Sequence, residues 1–194
     1  EVSLGADGVL RFAEQVRIPE PLEDLPRLGV SFRVDPALGK VAWYGRGPHE
    51  NYRDRAAGAW VGLHESDVDA MFTPYILPQA CGNRSGVRWF SLTDEQGRGL
   101  LVQTPEDGEF SALRYADAEL GRRRHVRDLV PEEAIVVHVD RFQRGVGTGA
   151  CGPDTLPRYR LRPGGWLWQW ALAPLAAGAD AASHAAAMKP RTSD

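Results

Sequence analysis

Leu28-Gly29-Val30-Ser31-Phe32-Arg33-Val34 carries an apolar side chain at every second position. A period of two marks a β-strand with one buried face. The next apolar run, Val41-Ala42-Trp43-Tyr44, makes Lys40–Gly45 a second strand. It feeds Gly45-Arg46-Gly47-Pro48-His49-Glu50-Asn51-Tyr52-Arg53-Asp54-Arg55. Gly45, Gly47 and Pro48 exclude a helix there and ask for a turn. The imidazole, carboxylates, amide, phenol and guanidinium groups that follow suit two jobs: bracing a turn by ion pairs, or holding sugar hydroxyls. Spacing alone does not choose between them. Arg46, Glu50, Asp54 and Arg55 are expected to brace the turn, with His49 and Asn51 accessible.

Working outward, Gly8–Phe12 is a weak strand signal, and Ile18–Asp24, stiffened by Pro19 and Pro21, reads as a connector crossing between sheets. Ala56–Asp67 is ambiguous, with Trp60 and Leu63 as expected anchors. Pro74–Pro78 is a short apolar segment pinned by prolines, followed by a polar loop over 79–86. Val87–Leu92, Gly99–Gln103 and Glu109–Tyr115 read as strands, the first two joined by a hairpin at Gly97. Ala116–Leu120 is the best helix candidate, and Arg122-Arg123-Arg124 lies where the helix dipole favours cations. Ile135–Phe142 is a strand in which His138 fits a hydrogen-bonded or exposed position better than a metal ligand. Gly145–Pro153 is glycine-rich but lacks the ending of a phosphate-binding loop. Arg158–Leu161 and Trp166–Leu172 are the last expected strands. Trp166, Trp168 and Trp170 share one face, and packing in a core explains them better than sugar stacking. Residues 176–194 form an alanine-rich tail for which weak helix or disorder is expected. About ten short strands with Gly/Pro turns and one weak helix imply an all-β domain of two large packed antiparallel sheets over 1–175.

The chain has 194 residues, 43% of them hydrophobic, enough for a sizeable core. Its net charge of −3 points away from nucleic acid and anionic membranes. No apolar run reaches the roughly 20 residues that span a bilayer. Cys81 and Cys151 have neither metal-ligand spacing nor a disulfide framework, so free thiols in a reducing, cytoplasmic setting are expected. Without a signal peptide or an initiator methionine, the chain reads as a piece of something longer.

A glycosidase needs two carboxylates facing each other across a pocket. The acids here sit on what read as solvated turns, Glu106-Asp107-Gly108-Glu109 and Glu132-Glu133. No nucleophile elbow, His-x-x-x-His or Cys-x-x-Cys is present. No catalytic residue, metal site or cofactor is therefore expected on this chain.

Four blocks in one order bring a family with them: Leu25–Val30; Trp43–Arg55; Pro74-Tyr75-Ile76 with Pro78-Gln79; and Gly82-Asn83-Arg84 with Val87-Arg88-Trp89. Together with the Gly145–Pro153 loop, they resemble the C-terminal "small chain" domain of β-galactosidases of glycoside hydrolase family 2, over roughly residues 1–175. The resemblance implies a large antiparallel β-sandwich, the supersandwich related to galactose mutarotases, with one or two short helices. It implies the fifth domain of a homo-oligomeric enzyme whose catalytic glutamates and magnesium lie in an absent barrel. It also implies that the domain lines the aglycone side of the galactoside pocket. His49, Asn51, Asn83, Arg84 and Cys151 would then form the pocket rim. Cys151 stands where some members place an aglycone-binding tryptophan, and a thiol offers no flat stacking face. Ala80-Cys81 replaces a usual Glu-Asn, removing a carboxylate and an amide. A Cys81–Cys151 disulfide across one rim is a further alternative.

Two other functions compete. A free-standing mutarotase-like enzyme would need an acid and a base, for which His49, Glu50, Glu106 and His125 are the candidates. A carbohydrate-binding module would use loops 45–55 and 79–88.

Overall fold

The computed structural model describes residues 1–147 and 152–188, with side chains at all of these except 105 and 106. Nine antiparallel strands form one sheet that curls on itself: β1 (Val2–Leu4), β2 (Leu10–Ile18), β3 (Arg27–Val34), β4 (Lys40–Gly47), β5 (Trp60–Asp67), β6 (Arg84–Thr93), β7 (Gly99–Leu113), β8 (Ile135–Gln143) and β9 (Gly164–Leu175). Two short helices accompany them, α1 (Asp117–Arg122) and α2 (Ala181–Ala187). The main order is β1-β2-β9-β7-β6-β4-β5, with β3 on β8 and β8 on β7. The class is all-β, as expected.

The curl happens at β7. Its first part, Gly99–Gln103, pairs with β9 on one side and β6 on the other. Its last part, Glu109–Leu113, leaves β9 and pairs with β8. Between them the ladder to β6 is irregular, and Asp107 takes φ +59, a left-handed conformation that few residues besides Gly, Asn and Asp tolerate. The two halves face each other across one core. Phe32 of β3 lies parallel to Trp170 of β9, which stacks on Phe12 at 3.9 Å, and Trp43 meets Phe110 edge-on. Trp168 and Trp170 are buried in this core and Trp166 packs against it, which explains the aromatic alternation. The connector after Ile18 carries the chain from β9's neighbourhood to β8's.

Several local expectations need correction. Gly45 and Gly47 are not turn residues: β4 runs through both. They are small because neighbours are close; a Cβ on Gly45 would sit 2.7 Å from the Val87 Cα. Trp60 and Leu63 are not anchors. β5 alternates the other way, turning His64 inward and leaving Leu63 60% exposed, while Trp60, beside His64 at the strand's start, is 63% exposed. Residues 106–109 are no turn, since they lie within β7, and Glu109 is fully buried. Arg158–Leu161 makes no strand. Pro157–Tyr159 is a single 3-10 turn, and Leu161 contributes one isolated bridge to Leu25.

Residues 176–194 read as weakly ordered because alanine gives no apolar stripe. Within them α2 is capped by Asp180, whose carboxylate accepts from the Ala182 and Ser183 amides. Ala185 and Met188 bury against Trp89, Leu101, Ala171 and Ala173 on the sheet's outer face. Packing on that face, rather than intrinsic propensity, supplies the helix's stability.

Gly45→Ala should lower unfolding stability by about 1–3 kcal/mol, because the clash is with backbone that cannot rotate away. Gly58→Ala, which meets open space, should stay within about 0.5 kcal/mol of the parent sequence. Equal denaturation midpoints for the two variants would contradict the close-approach account of Gly45.

Candidate functional site

The 45–55 loop lies where four segments meet, and nearly every polar group in it is engaged. Glu50 accepts the Gly82 amide at 2.8 Å, the Arg55 guanidinium at 2.6 Å, and the Tyr75 hydroxyl. One carboxylate thereby ties the loop to the 74–82 segment. Donors around the charged form hold the Glu50 carboxyl below its usual range, against the burial that would raise it. Asp54 accepts from the Val146 and Gly147 amides, at 3.1 and 2.7 Å. This anchors the start of the glycine-rich loop, and a Cβ on Gly145 would collide with the Asp54 carboxylate. Arg46 donates to the Ala59 carbonyl at 2.9 Å and closes the loop's far end. Tyr52 and Arg55 exchange backbone hydrogen bonds across the tight turn.

Of the residues expected on an accessible rim, only His49 is exposed among those described. Asn51 and Asn83 are each 1% exposed and Arg84 is 4%. Their polar groups serve the fold. The Asn51 side-chain oxygen accepts from the Ser85 amide and hydroxyl, and its NH2 donates to the His49 carbonyl. The Asn83 NH2 donates to the Asn51 carbonyl and to Glu109. Arg84 donates to the Gly82 carbonyl and lies 5.2 Å from the Trp43 ring centroid, while its Nε has no partner. Burial pushes the Arg84 guanidinium down to about 10. Cys81 is a free, buried thiol, raised to about 11 chiefly by burial. Cys151 lies outside the described residues, as does any pairing it makes.

Two groups central to this region gave little signal in the sequence. Arg53 donates through Nε to Glu109 at 2.6 Å and through Nη2 to the Arg141 carbonyl at 3.1 Å, its guanidinium 4.3 Å from the Phe142 centroid. Glu109 also accepts the Gln143 amide at 2.9 Å and the Asn83 amide at 2.8 Å. Burial raises its pKa, and those donors oppose the rise. Opposite Glu109 in the β7–β8 register stands Asp140, equally buried. Neither of its oxygens has a hydrogen-bond partner among the described residues. Its nearest cation is Arg27, at 3.5 Å. The β3 irregularity at Gly29 makes room for it, since any Cβ there would overlap its Oδ1. The usable signal was a carboxylate within the apolar run Val137–Phe142.

Burial raises the Asp140 carboxyl to about 7, with Arg27 opposing and Glu109 and Asp117 adding to the rise. The folded state therefore binds this proton more tightly than the unfolded chain, whose value is near 3.8. The stability this group contributes is full below about pH 4 and is lost as pH rises towards 7. Asp140→Asn should be more stable than the parent sequence at pH 8 by about 1–3 kcal/mol, an advantage that shrinks towards pH 5. Thermal melts across pH 5–8 check this; a constant difference between the two proteins would refute it.

The family described as beta galactosidase small chain matches residues 4–171. The chain is 39% identical over 156 residues to a β-galactosidase of Priestia megaterium, covering 80% of this chain and 15% of that protein. It is 34% identical over 171 residues to one of Aeromonas hydrophila, covering 86% and 16%. It is 35% identical over 135 residues to one of Streptococcus thermophilus, covering 69% and 13%. The chain thus spans less than a fifth of the length of these relatives. The matched region takes in the braced loop, the strand that curls the sheet and the start of the glycine-rich loop, and on that extent the chain belongs to the β-galactosidase small-chain family.

Proposed function

We propose that this chain is a non-catalytic domain of a β-galactosidase, a retaining hydrolase of terminal β-D-galactosides such as lactose. The domain forms one wall of the sugar pocket on the aglycone side. The observation that carries the reading is the family match over most of the chain, to relatives of which it makes up 13–16%.

The local chemistry supports a structural part for the loop acids. Retaining hydrolysis needs two carboxylates about 5–5.5 Å apart, open to the sugar. The carboxylates of Glu50, Asp54 and Glu109 are each committed to donors within the domain. The acid and nucleophile are therefore assigned to another domain of the parent chain. Among the described residues, no three His, Cys, Asp or Glu side chains converge as a metal site would require. The parent enzyme's magnesium is proposed to bind on another domain. None of the described helices is long and apolar enough to cross a membrane.

The domain's contribution is a rigid rim. Glu50 fixes the 74–82 segment and Asp54 fixes the start of the glycine-rich loop, so both reach the pocket in set positions. His49, exposed in the braced loop, is proposed to face the aglycone. Cys151, outside the described residues, is proposed to replace a stacking aromatic, which would weaken aglycone binding.

The purified 194-residue chain is expected to release o-nitrophenol from o-nitrophenyl β-D-galactoside no faster than buffer, and the full-length parent enzyme to hydrolyse it readily. Turnover by the chain alone would overturn the reading.

A further inference from the structure

The outer face of the sheet is covered on one side and bare on the other. In register across the strands runs one outward-facing row: Ala171 of β9, Gln103 of β7, Trp89 of β6, Tyr44 of β4 and Leu63 of β5. Helix α2 lies over the first part of this row, burying Trp89 and Ala171 beneath Ala185 and Met188. Beyond Trp89 the row stays apolar and loses its cover. Tyr44 is 42% and Leu63 60% exposed, and Val61 on the same face of β5 is 41%.

β5 is also the terminal strand of the sheet, so among the described residues no strand lies beside its outer backbone edge. Natural sheets blunt such edges with charge. The second half of β5 does so: Glu65 and Asp67 are exposed, and Asp67 pairs with Lys40 at 2.9 Å. The first half, Trp60-Val61-Gly62-Leu63, does not. Two cations lie close by: Arg46, opposite Val61 in the register and committed to the Ala59 carbonyl, and the exposed Arg88, whose guanidinium lies 5.6 Å from the Tyr44 ring centroid.

We propose that Tyr44, Val61 and Leu63 form a docking surface for another domain of the same β-galactosidase chain. That domain presents apolar side chains, with a carboxylate opposite Arg88. The inference rests on the functional reading above and names the surface through which the domain joins the enzyme. Area decides between this occupant and a second copy. The three side chains expose roughly 250 Å². Two copies meeting there would bury about 500 Å², the size of an incidental contact and short of a stable dimer. A tethered domain associates at high effective concentration and needs less area than two free copies do. The relatives are long enough to supply it, since the matched region is only 13–16% of each.

Hydrogen exchange read by mass spectrometry on the 194-residue chain and on the full-length parent tests this. Amides of residues 60–64 are expected to exchange about ten-fold or more slowly in the parent. Leu63→Glu, at an exposed position, should leave the melting temperature of the 194-residue chain unchanged and abolish most of that protection in the parent. Equal exchange over 60–64 in both proteins, with protection appearing elsewhere in the domain, would overturn the surface and leave the functional reading standing. No protected segment anywhere would overturn both. Protection of 60–64 that survives Leu63→Glu, or that rises with the concentration of the 194-residue chain alone, would also overturn the proposal, the second result by assigning the surface to another copy.

Discussion

Glu109 is a fully buried carboxylate at the point where β7 exchanges β9 for β8, and the arrangement around it depends on its being satisfied. An isolated anion in the interior is prohibitively costly, so it persists only with partners. Those partners come from three separate segments: Arg53 from the braced loop, Asn83 from the start of β6, and the Gln143 amide at the end of β8. Satisfying one carboxylate therefore fixes three pieces of chain relative to the curl of the sheet.

The consequences spread outward through short chains of bonds. Asn83 also holds Asn51, and Asn51 holds Ser85, so the loop and β6 share a register. Neighbours of Arg53 carry the loop's other attachments, Asp54 to the glycine-rich loop and Arg55 through Glu50 to the 74–82 segment. Buried networks of this kind rigidify when complete and are costly when partial. Among the described residues the network is itself incomplete at the Asn83 Oδ1, and two titratable groups beside it are incomplete as well: the oxygens of Asp140 and the Nε of Arg84. In both, burial shifts the pKa towards the neutral form. A rigid rim is what the proposed aglycone wall requires, since a catalytic centre gains only from neighbours held in place.

Much of the fold was legible because period two is unambiguous where one face is buried. Leu28–Val34, Ile135–Phe142 and the tryptophan row of β9 all fell where the alternation put them. The failures have physical causes. Gly45 and Gly47 look like turn residues because a glycine needed for close approach cannot be told from one needed for a bend. Trp60 and Leu63 look like core because hydrophobicity does not reveal which face of an edge strand has a neighbour. Glu106–Glu109 looks like a solvated turn because the Asp-Gly signal marks a kink within one long strand, where β7 changes partners. Helix α2 was faint because alanine buries little area and its stability comes from the sheet beneath it. In the site, the ion pair of Glu50 with Arg55 could be guessed from proximity in sequence. The Arg53–Glu109 pair spans 56 positions and depends on tertiary structure alone, as does the burial of Asn51, Asn83 and Arg84.

The central claim is that the braced loop is locked to the curl of the sheet through Arg53 and Glu109. A double-mutant cycle on the 194-residue chain, with Arg53→Ala, Glu109→Gln and the double variant unfolded in urea, measures that lock directly. The account predicts a coupling energy of about 2 kcal/mol or more. Single-variant effects that add to within about 0.5 kcal/mol would contradict it.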